Sequence, residues 1–204
     1  MDFWLLARLL LCFLAGSIPF AVVAMWGTGI DITQVGSRNP GFNNVLRVAS
    51  KPRALVALVG DLFKGTAALF VFSALLGSDD SLTVRWSFGL AAVVGHCFTP
   101  WLGFRGGKGV ATSAGVLLYL HWWQALVGGP VYFLVRLYGK RRGWEQRGAV
   151  ASLAMLAVIT ALVVVYAPPP AAWFAGALFV LVVLRHTSNL REALFGKKVQ
   201  APGA

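Results

Sequence analysis

Charge is the first scarcity. Only 12% of the 204 residues are Asp, Glu, Lys or Arg, about half the share of a soluble domain. So few charges cannot coat a small globule, and 58% hydrophobic residues with a mean hydropathy of +0.73 exclude a disordered chain. Acidic residues are scarcer still: 7 against 18 Lys and Arg, a formal net charge of +11. In a soluble protein that excess would suggest nucleic acid. In so apolar a chain it points instead to anionic lipid, an anionic substrate or a cytoplasmic membrane face, and no nucleic-acid partner is expected. The two cysteines, Cys12 and Cys97, lie in apolar runs without metal-like spacing and read as small packing residues. The histidines His96, His121 and His186 form no HExxH. Neither a metal nor a cofactor is expected. Nor is a cleavable leader: Asp2 opens the chain without a basic cluster, and Gly16-Ser17 runs straight into Ile18-Pro19.

What the chain has is apolar length. Runs over 3–26, 54–76, 82–102, 148–166 and 171–186 approach the roughly 20 residues a crossing helix needs. Between them, 110–138 is too long for one crossing. His121-Trp122-Trp123-Gln124 and Gly128-Gly129-Pro130 divide it into a helical pair, 110–121 and 124–138. The expectation is a single membrane-embedded domain, 1–204, all-α, with about seven transmembrane helices. Fifteen of the eighteen basic residues then fall on one side, in 27–53, 103–109, 136–147 and the tail from Arg185. The other side holds Asp2, the 77–81 turn, His121 and Ala167-Pro168-Pro169-Pro170, with Arg85 close by. The positive-inside rule therefore puts the N-terminus outside and the C-terminus in the cytoplasm. Trp4, Trp26, Trp86, Trp101 and Trp173 fall at span ends, as aromatic belts do.

The basic-side loops carry the candidate chemistry. GTGIDITQVGSRNPGFNNVLR, residues 27–47, is rich in Gly and Asn. Such a loop can turn several N–H groups inward or simply connect two helices. GFRGGKGVAT, 103–112, surrounds Lys108 with glycines ahead of an apolar helix. A glycine-rich helix N-terminus with a lysine suits phosphate, although the Walker spacing is absent and a flexible turn has the same composition. Asp61 and Lys64 share a helix face inside the second span. There each charge costs roughly 2.5–3.5 kcal/mol, so pairing with cavity lining is expected. His96 reads as a hydrogen-bonded packing residue. His186 and Asn189, at i and i+3, stand just past the last span.

In order, GSIPF, GIDITQVGSRNPGFNNVLR, DLFKG, GHCFTPWLGFRGGKGVAT and RHTSNL resemble the bacterial acyl-phosphate:glycerol-3-phosphate acyltransferases, the PlsY family, over residues 16 to about 190. The resemblance implies a seven-helix enzyme of the bacterial inner membrane with a cytoplasmic active site. Its reaction moves a fatty acyl group from acyl phosphate to the first-position hydroxyl of glycerol-3-phosphate. The products are lysophosphatidic acid, for phospholipid biosynthesis, and phosphate. Its partners are those two substrates and membrane lipid, with no obligatory protein partner. The HxxxxD motif of other glycerol-phosphate acyltransferases is absent here, as in the family.

Carried over by resemblance, Ser37 and Arg47 belong to the glycerol phosphate loop, with Asn39 and Asn44 as further contacts. Gly106, Gly107, Lys108 and Gly109 form the phosphate loop, where the glycine N–H groups and Lys108 are expected to hold acyl phosphate. His186 and Asn189 hold glycerol phosphate, Ser152 matches a serine before the sixth helix, and Lys64 lines the cavity. Lys108, Ser37 and Arg47 are the expected catalytic set. The mechanism implied is direct attack by the substrate hydroxyl, without an acyl-enzyme. Two departures stand out: the family's GSGNxGATN is GSRNPGFNN here, so Arg38 replaces a glycine and Phe42-Asn43 replaces Ala-Thr, and the C-terminal Gly-Thr-Glu triplet is missing. Two rivals stay open: a transporter of an anionic phosphorylated solute, which the basic loops and the intramembrane Asp61 and Lys64 would fit, and a degraded relative that only binds lipid phosphate, for which the altered 38–43 loop argues.

Overall fold

A computed structural model describes residues 3–75 and 81–195. Asp2, most of the expected outer turn at 77–81, and the tail residues Lys197 and Lys198 lie outside the described residues. The described residues are all-helical, without a strand.

The first apolar run is two helices, α1 (Phe3–Ser17) and α2 (Phe20–Met25). The break falls at Ile18-Pro19, where proline removes one N–H from the helical ladder. A released carbonyl inside a bilayer finds no water, and here other elements supply the donors. Thr99 Oγ1 donates to the Ser17 carbonyl at 2.6 Å, Lys64 Nζ to the Ile18 carbonyl at 2.7 Å, and Trp101 Nε1 to Ser17 Oγ at 2.9 Å. At the far end of α2, Arg53 Nη1 donates to the Ala24 carbonyl at 2.6 Å and the Trp26 carbonyl at 3.0 Å.

The short α3 (Phe42–Val48) leads into α4 (Lys51–Leu69), which continues as a π-helical turn over Phe70–Leu75. Then come α5 (Leu82–Cys97), α6 (Val110–Leu120), α7 (Trp122–Arg141), α8 (Arg147–Tyr166), α9 (Pro169–Arg185) and α10 (Thr187–Phe195). Among the described residues, three stretches are long and apolar enough to cross a membrane: Phe3–Met25, Lys51–Phe72 and Arg147–Tyr166. The pair Pro169–Arg185 and Thr187–Phe195, bent by 59°, would make a fourth. The remaining expected crossings are shorter or less apolar. Helix α5 has 16 residues and α6 has 11, and at 1.5 Å per residue α6 spans only about 17 Å. Helix α7 has 20 residues but carries Arg136, Lys140 and Arg141. The expected pair over 110–138 is found, with the break at a single residue, His121.

A larger core gathers α1 and α4 to α9 around Leu69, Trp86, Phe88, Leu117 and Leu156; a smaller one joins α2, α3 and the start of α4 around Ile32, Val45 and Ala57. Trp86 does not belong to an aromatic belt. It is fully buried and stacks on Phe174 at 5.9 Å, with His121 at 5.4 Å on its ring. His121 and Gln124 are likewise buried rather than interfacial. The His121 ring at the α6–α7 break thus packs on the Trp86 ring inside the bundle. Trp4, Trp26, Trp101 and Trp173 are exposed, as belt residues are.

Helices approach closely through small residues, as in membrane bundles. A Cβ on Gly95 would lie 2.0 Å from the Phe13 carbonyl oxygen, and one on Gly115 2.0 Å from that of Leu62. The first contact seats α1 on α5, the second α4 on α6. Gly115→Ala should therefore force the α4–α6 pair apart and destabilise the protein by roughly 1–3 kcal/mol. Gly176→Ala, whose Cβ meets nothing within 4 Å, should be neutral or stabilising by up to about 1 kcal/mol. Thermal unfolding of the two variants in detergent checks the contrast.

Candidate functional site

After Cys97 the chain turns through Pro100–Leu102 and two left-handed residues, Gly103 (φ +57°) and Phe104 (φ +62°). It then runs back along the end of α5. The Gly106 N–H donates to the Cys97 carbonyl and the Gly107 N–H to the His96 carbonyl, both at 3.1 Å. The expected use of these two N–H groups on phosphate is therefore corrected: α5 already takes them. Glycine is required because a Cβ on Gly106 would lie 2.1 Å from the His96 carbonyl oxygen. The donors left are at the start of α6. Gly109 caps it, and the first bond of that turn, Ser113 N–H to the Gly109 carbonyl at 2.8 Å, leaves the N–H groups of Val110 to Thr112 without a helical acceptor. With the helix dipole behind them they suit an anion.

Lys108 is half-buried at this helix start, and its ammonium donates to Asn189 Oδ1. From there Asn189 Nδ2 donates to Gln146 Oε1 at 2.6 Å, and Gln146 Nε2 donates to Glu192 Oε2 at 2.5 Å. The chain runs from a cation to a carboxylate, so every dipole in it is aligned. Burial is the chief reason the Lys108 pKa is pushed down to about 8; Arg185 and Arg47 also lower it, against Glu192. Arg185 clamps the glycine loop, with Nη2 on the Gly106 carbonyl at 2.9 Å and Nε on the Gly107 carbonyl at 3.1 Å, and its guanidinium lies 5.2 Å over the Phe98 ring. His186 is buried, and its Nδ1 lies 2.8 Å from the Val182 carbonyl. A carbonyl only accepts, so that nitrogen carries the proton and Nε2 is left for another partner.

The first loop forms the other half. Buried Asn44 holds it together: Oδ1 accepts the Ser37 N–H at 2.8 Å, and Nδ2 donates to the Ile32 and Val35 carbonyls at 3.1 and 3.0 Å. Asn44 is thus the scaffold of the loop rather than a substrate contact. Ser37 and Arg47 are exposed and Asn39 half-buried. Phe42 packs on the smaller core, and Asn43 Oδ1 accepts from Arg136 Nη1 at 2.9 Å, tying the loop to α7. Ser152 is buried one turn into α8 and donates to the Gly148 carbonyl at 2.8 Å. Lys64 does not line the open site: its ammonium is held by the Ile18 carbonyl and, at 2.9 Å, by Asp61. Further along α6, an apolar groove of about 550 Å³ lies between α6, α7 and α8, lined by Ala114, Leu118, Leu126, Phe133, Met155 and Ile159.

Sequence reasoning missed Arg185, Gln146, Glu192 and Arg136. Arg185 had been counted only as a cytoplasmic charge; its place directly before His186 was the available signal. Nothing in the local sequence marks Gln146 or Arg136.

Residues 6–196 match the glycerol-3-phosphate acyltransferase family. The chain belongs to that family. It is 38% identical over 190 residues to the glycerol-3-phosphate acyltransferase of Anaeromyxobacter sp. (strain Fw109-5), covering 91% of each chain. With that of Mesorhizobium japonicum (strain LMG 29417 / CECT 9101 / MAFF 303099) it shares 35% identity over 206 residues, covering all of both. Among solved structures it is similar to PlsY (YgiH), an integral membrane glycerol 3-phosphate acyltransferase. The glycerol 3-phosphate form matches with a TM-score of 0.83 and 29% identity, over 97% of this chain and 95% of that one. The lysophosphatidic acid form matches with a TM-score of 0.82 and 28% identity, over 96% and 94%. The chain is accordingly a multi-pass, all-helical membrane acyltransferase.

The family's pattern makes one departure physically legible. Arg38, where the pattern has glycine, adopts φ +58° with its side chain exposed. A left-handed conformation costs a non-glycine residue roughly 1–2 kcal/mol, partly offset by the greater unfolded-state freedom of glycine. Arg38→Gly should therefore stabilise the protein by up to about 1 kcal/mol, read as a raised melting temperature in detergent.

Proposed function

We propose that the chain transfers a fatty acyl group from acyl phosphate to the sn-1 hydroxyl of glycerol-3-phosphate at the cytoplasmic face of a bacterial inner membrane. The observation that carries this is the seating of Lys108. A half-buried cation stands at the N-terminus of α6, within electrostatic reach of Arg47 from the first polar segment, and farther along the same helix Ala114 and Leu118 line an apolar groove. That is the arrangement needed by a donor with an anionic head and a long apolar tail.

Acyl phosphate is a mixed anhydride, already activated. The glycerol hydroxyl oxygen attacks the acyl carbonyl carbon, the bond from that carbon to the phosphate oxygen breaks, and phosphate leaves. The hydroxyl proton passes to a phosphate oxygen. The protein orients two anions and stabilises charge on the leaving group. Lys108 and the first-turn N–H groups after Gly109 hold the donor phosphate, and the acyl chain follows the α6–α7–α8 groove. Ser37, Asn39, Arg47, His186, Asn189 and Ser152 receive glycerol-3-phosphate. Gly106, Gly107, Arg185 and Asn44 shape the loops that carry these groups. No acyl-enzyme is required. The transporter reading loses its support, since Asp61 and Lys64 are buried against each other rather than set along a path.

Seven crossings follow if α1 with α2, α4, α5, α6, α7, α8 and α9 each count as one. The clustering of Lys and Arg in the loops around Arg47, Lys108, Arg142 and Arg185 supports a cytoplasmic site and C-terminus. A cysteine placed at Ser78 should then react with an impermeant reagent from outside, while one at Ser188 should not. Equal labelling at both would refute this topology.

A charged hydrogen bond to phosphate is worth about 1.5–3 kcal/mol. Lys108→Ala should therefore cut kcat/KM for acyl phosphate by about 10- to 10⁴-fold, with the protein still folded. Lys108→Arg should rescue poorly, because a planar fork fits the site less well than a compact ammonium. The working form is the cation, and its pKa is lowered to about 8. Activity should thus be full below that pH and fall as pH rises through it. A pH profile of kcat/KM, with acyl phosphate and acyl-CoA compared as donors, tests the assignment; Lys108→Ala at wild-type activity would overturn it.

A further inference from the structure

Three of the buried ionisable side chains outside the contacts assigned to substrate form one cluster. Asp61 and Lys64 stand on α4 and His96 on α5. Asp61 Oδ1 lies 2.9 Å from Lys64 Nζ and 3.4 Å from His96 Nδ1. Lys64 is anchored in turn on the Ile18 carbonyl at the α1–α2 break, with the Phe20 ring 5.9 Å away. Buried ion pairs are weak sources of stability, and well-packed apolar residues often serve as well. The other side of this cluster faces the glycine loop. The His96 carbonyl accepts the Gly107 N–H, and a Cβ on Gly107 would lie 2.2 Å from His96 Nε2. The imidazole therefore rests directly against the Gly107 backbone. Arg185 grips the carbonyls of Gly106 and Gly107. The strand that delivers Lys108 is thus held by Arg185 and by an imidazole whose orientation is set by Asp61.

We propose that Asp61, Lys64 and His96 are positioning residues for the acyl phosphate half of the reaction: they fix the Gly106–Gly107 backbone, and through it the reach of Lys108 and the α6 N-terminus. None of the three touches substrate. The inference rests on the phosphate-loop reading of Lys108 given above. It is confined to the donor because the first loop is scaffolded separately, by Asn44 and its bonds to Ser37, Ile32 and Val35.

The test uses the full chain in detergent micelles, with each substrate titrated at saturating levels of the other. A displacement of about 1 Å can cost on the order of 10²-fold in rate. His96→Gln and Asp61→Asn should accordingly raise the KM for acyl phosphate at least about 10-fold while that for glycerol-3-phosphate stays within about 2-fold. Gly107→Ala should be strongly impaired by its clash with the His96 ring, and His96→Ala in the same chain should restore part of the loss. That rescue decides the matter if the single variants do not fold. Folded variants with an unchanged acyl phosphate KM, an equal rise in both KM values, or an absent rescue would each overturn the proposal. Lys108→Ala is the reference. If it too leaves acyl phosphate kinetics unchanged, the phosphate-loop reading fails; if it is impaired while the His96 and Asp61 variants are silent, only the positioning role fails.

Discussion

Inside a low-dielectric bundle, a backbone carbonyl released from its helix must be met by a donor from elsewhere in the protein, and at Ile18-Pro19 this requirement shapes everything around it. Thr99 and Lys64 supply the two donors, while Trp101 holds the Ser17 hydroxyl. Thr99 and Trp101 belong to the turn that follows α5. Lys64 brings Asp61, and Asp61 brings His96. The break thus couples α1 to α4 and α5 and to the glycine loop. A continuous first helix would leave Lys64 without its carbonyl, and a buried cation with a single partner is costly.

The glycine loop then does its work by geometry rather than by its own N–H groups. Gly106 and Gly107 let the chain pack on the end of α5 at a distance no side chain permits. Their donors are consumed there, which leaves the Lys108 ammonium and the first-turn N–H groups of α6 as the groups suited to an anion. Positive charge gathers at this place from three elements: Arg47 from α3, Lys108 from the loop and Arg185 from α9. Together with burial, this mutual repulsion lowers the proton affinity of Lys108. The Glu192 carboxylate ends the hydrogen-bond chain that runs from Lys108 through Asn189 and Gln146.

Much of the fold was readable in one dimension. The apolar runs marked the long helices, since each must satisfy its own backbone bonds, but not the break at Ile18-Pro19 or the short α3 and α10. The short pair over 110–138 was readable because polar and aromatic residues interrupt it. Trp86 and His121 were misread as interfacial because residue type at a run's end says nothing about what packs over it; Phe174, far along the chain, buries Trp86. Asn44 was assigned to substrate and Lys64 to a cavity lining because polar residues in a loop and a span invite such roles, although the pairing of Lys64 with Asp61 was readable from their i, i+3 spacing. Their partners, backbone carbonyls at Ile32, Val35 and Ile18, carry no signature in the side-chain sequence.

By itself the sequence determined an all-helical membrane chain, its family, and the order of the segments that carry Ser37, Lys108 and Asn189. These depend on hydropathy and on local motifs, which are properties of neighbours along the chain. Only the tertiary structure decided which polar groups are already spoken for. Hydrogen bonds such as Arg185 to Gly106 or Thr99 to Ser17 join residues about eighty positions apart. Whether an N–H, an ammonium or an amide remains free for substrate depends on such partners, and they become visible only once the helices are packed.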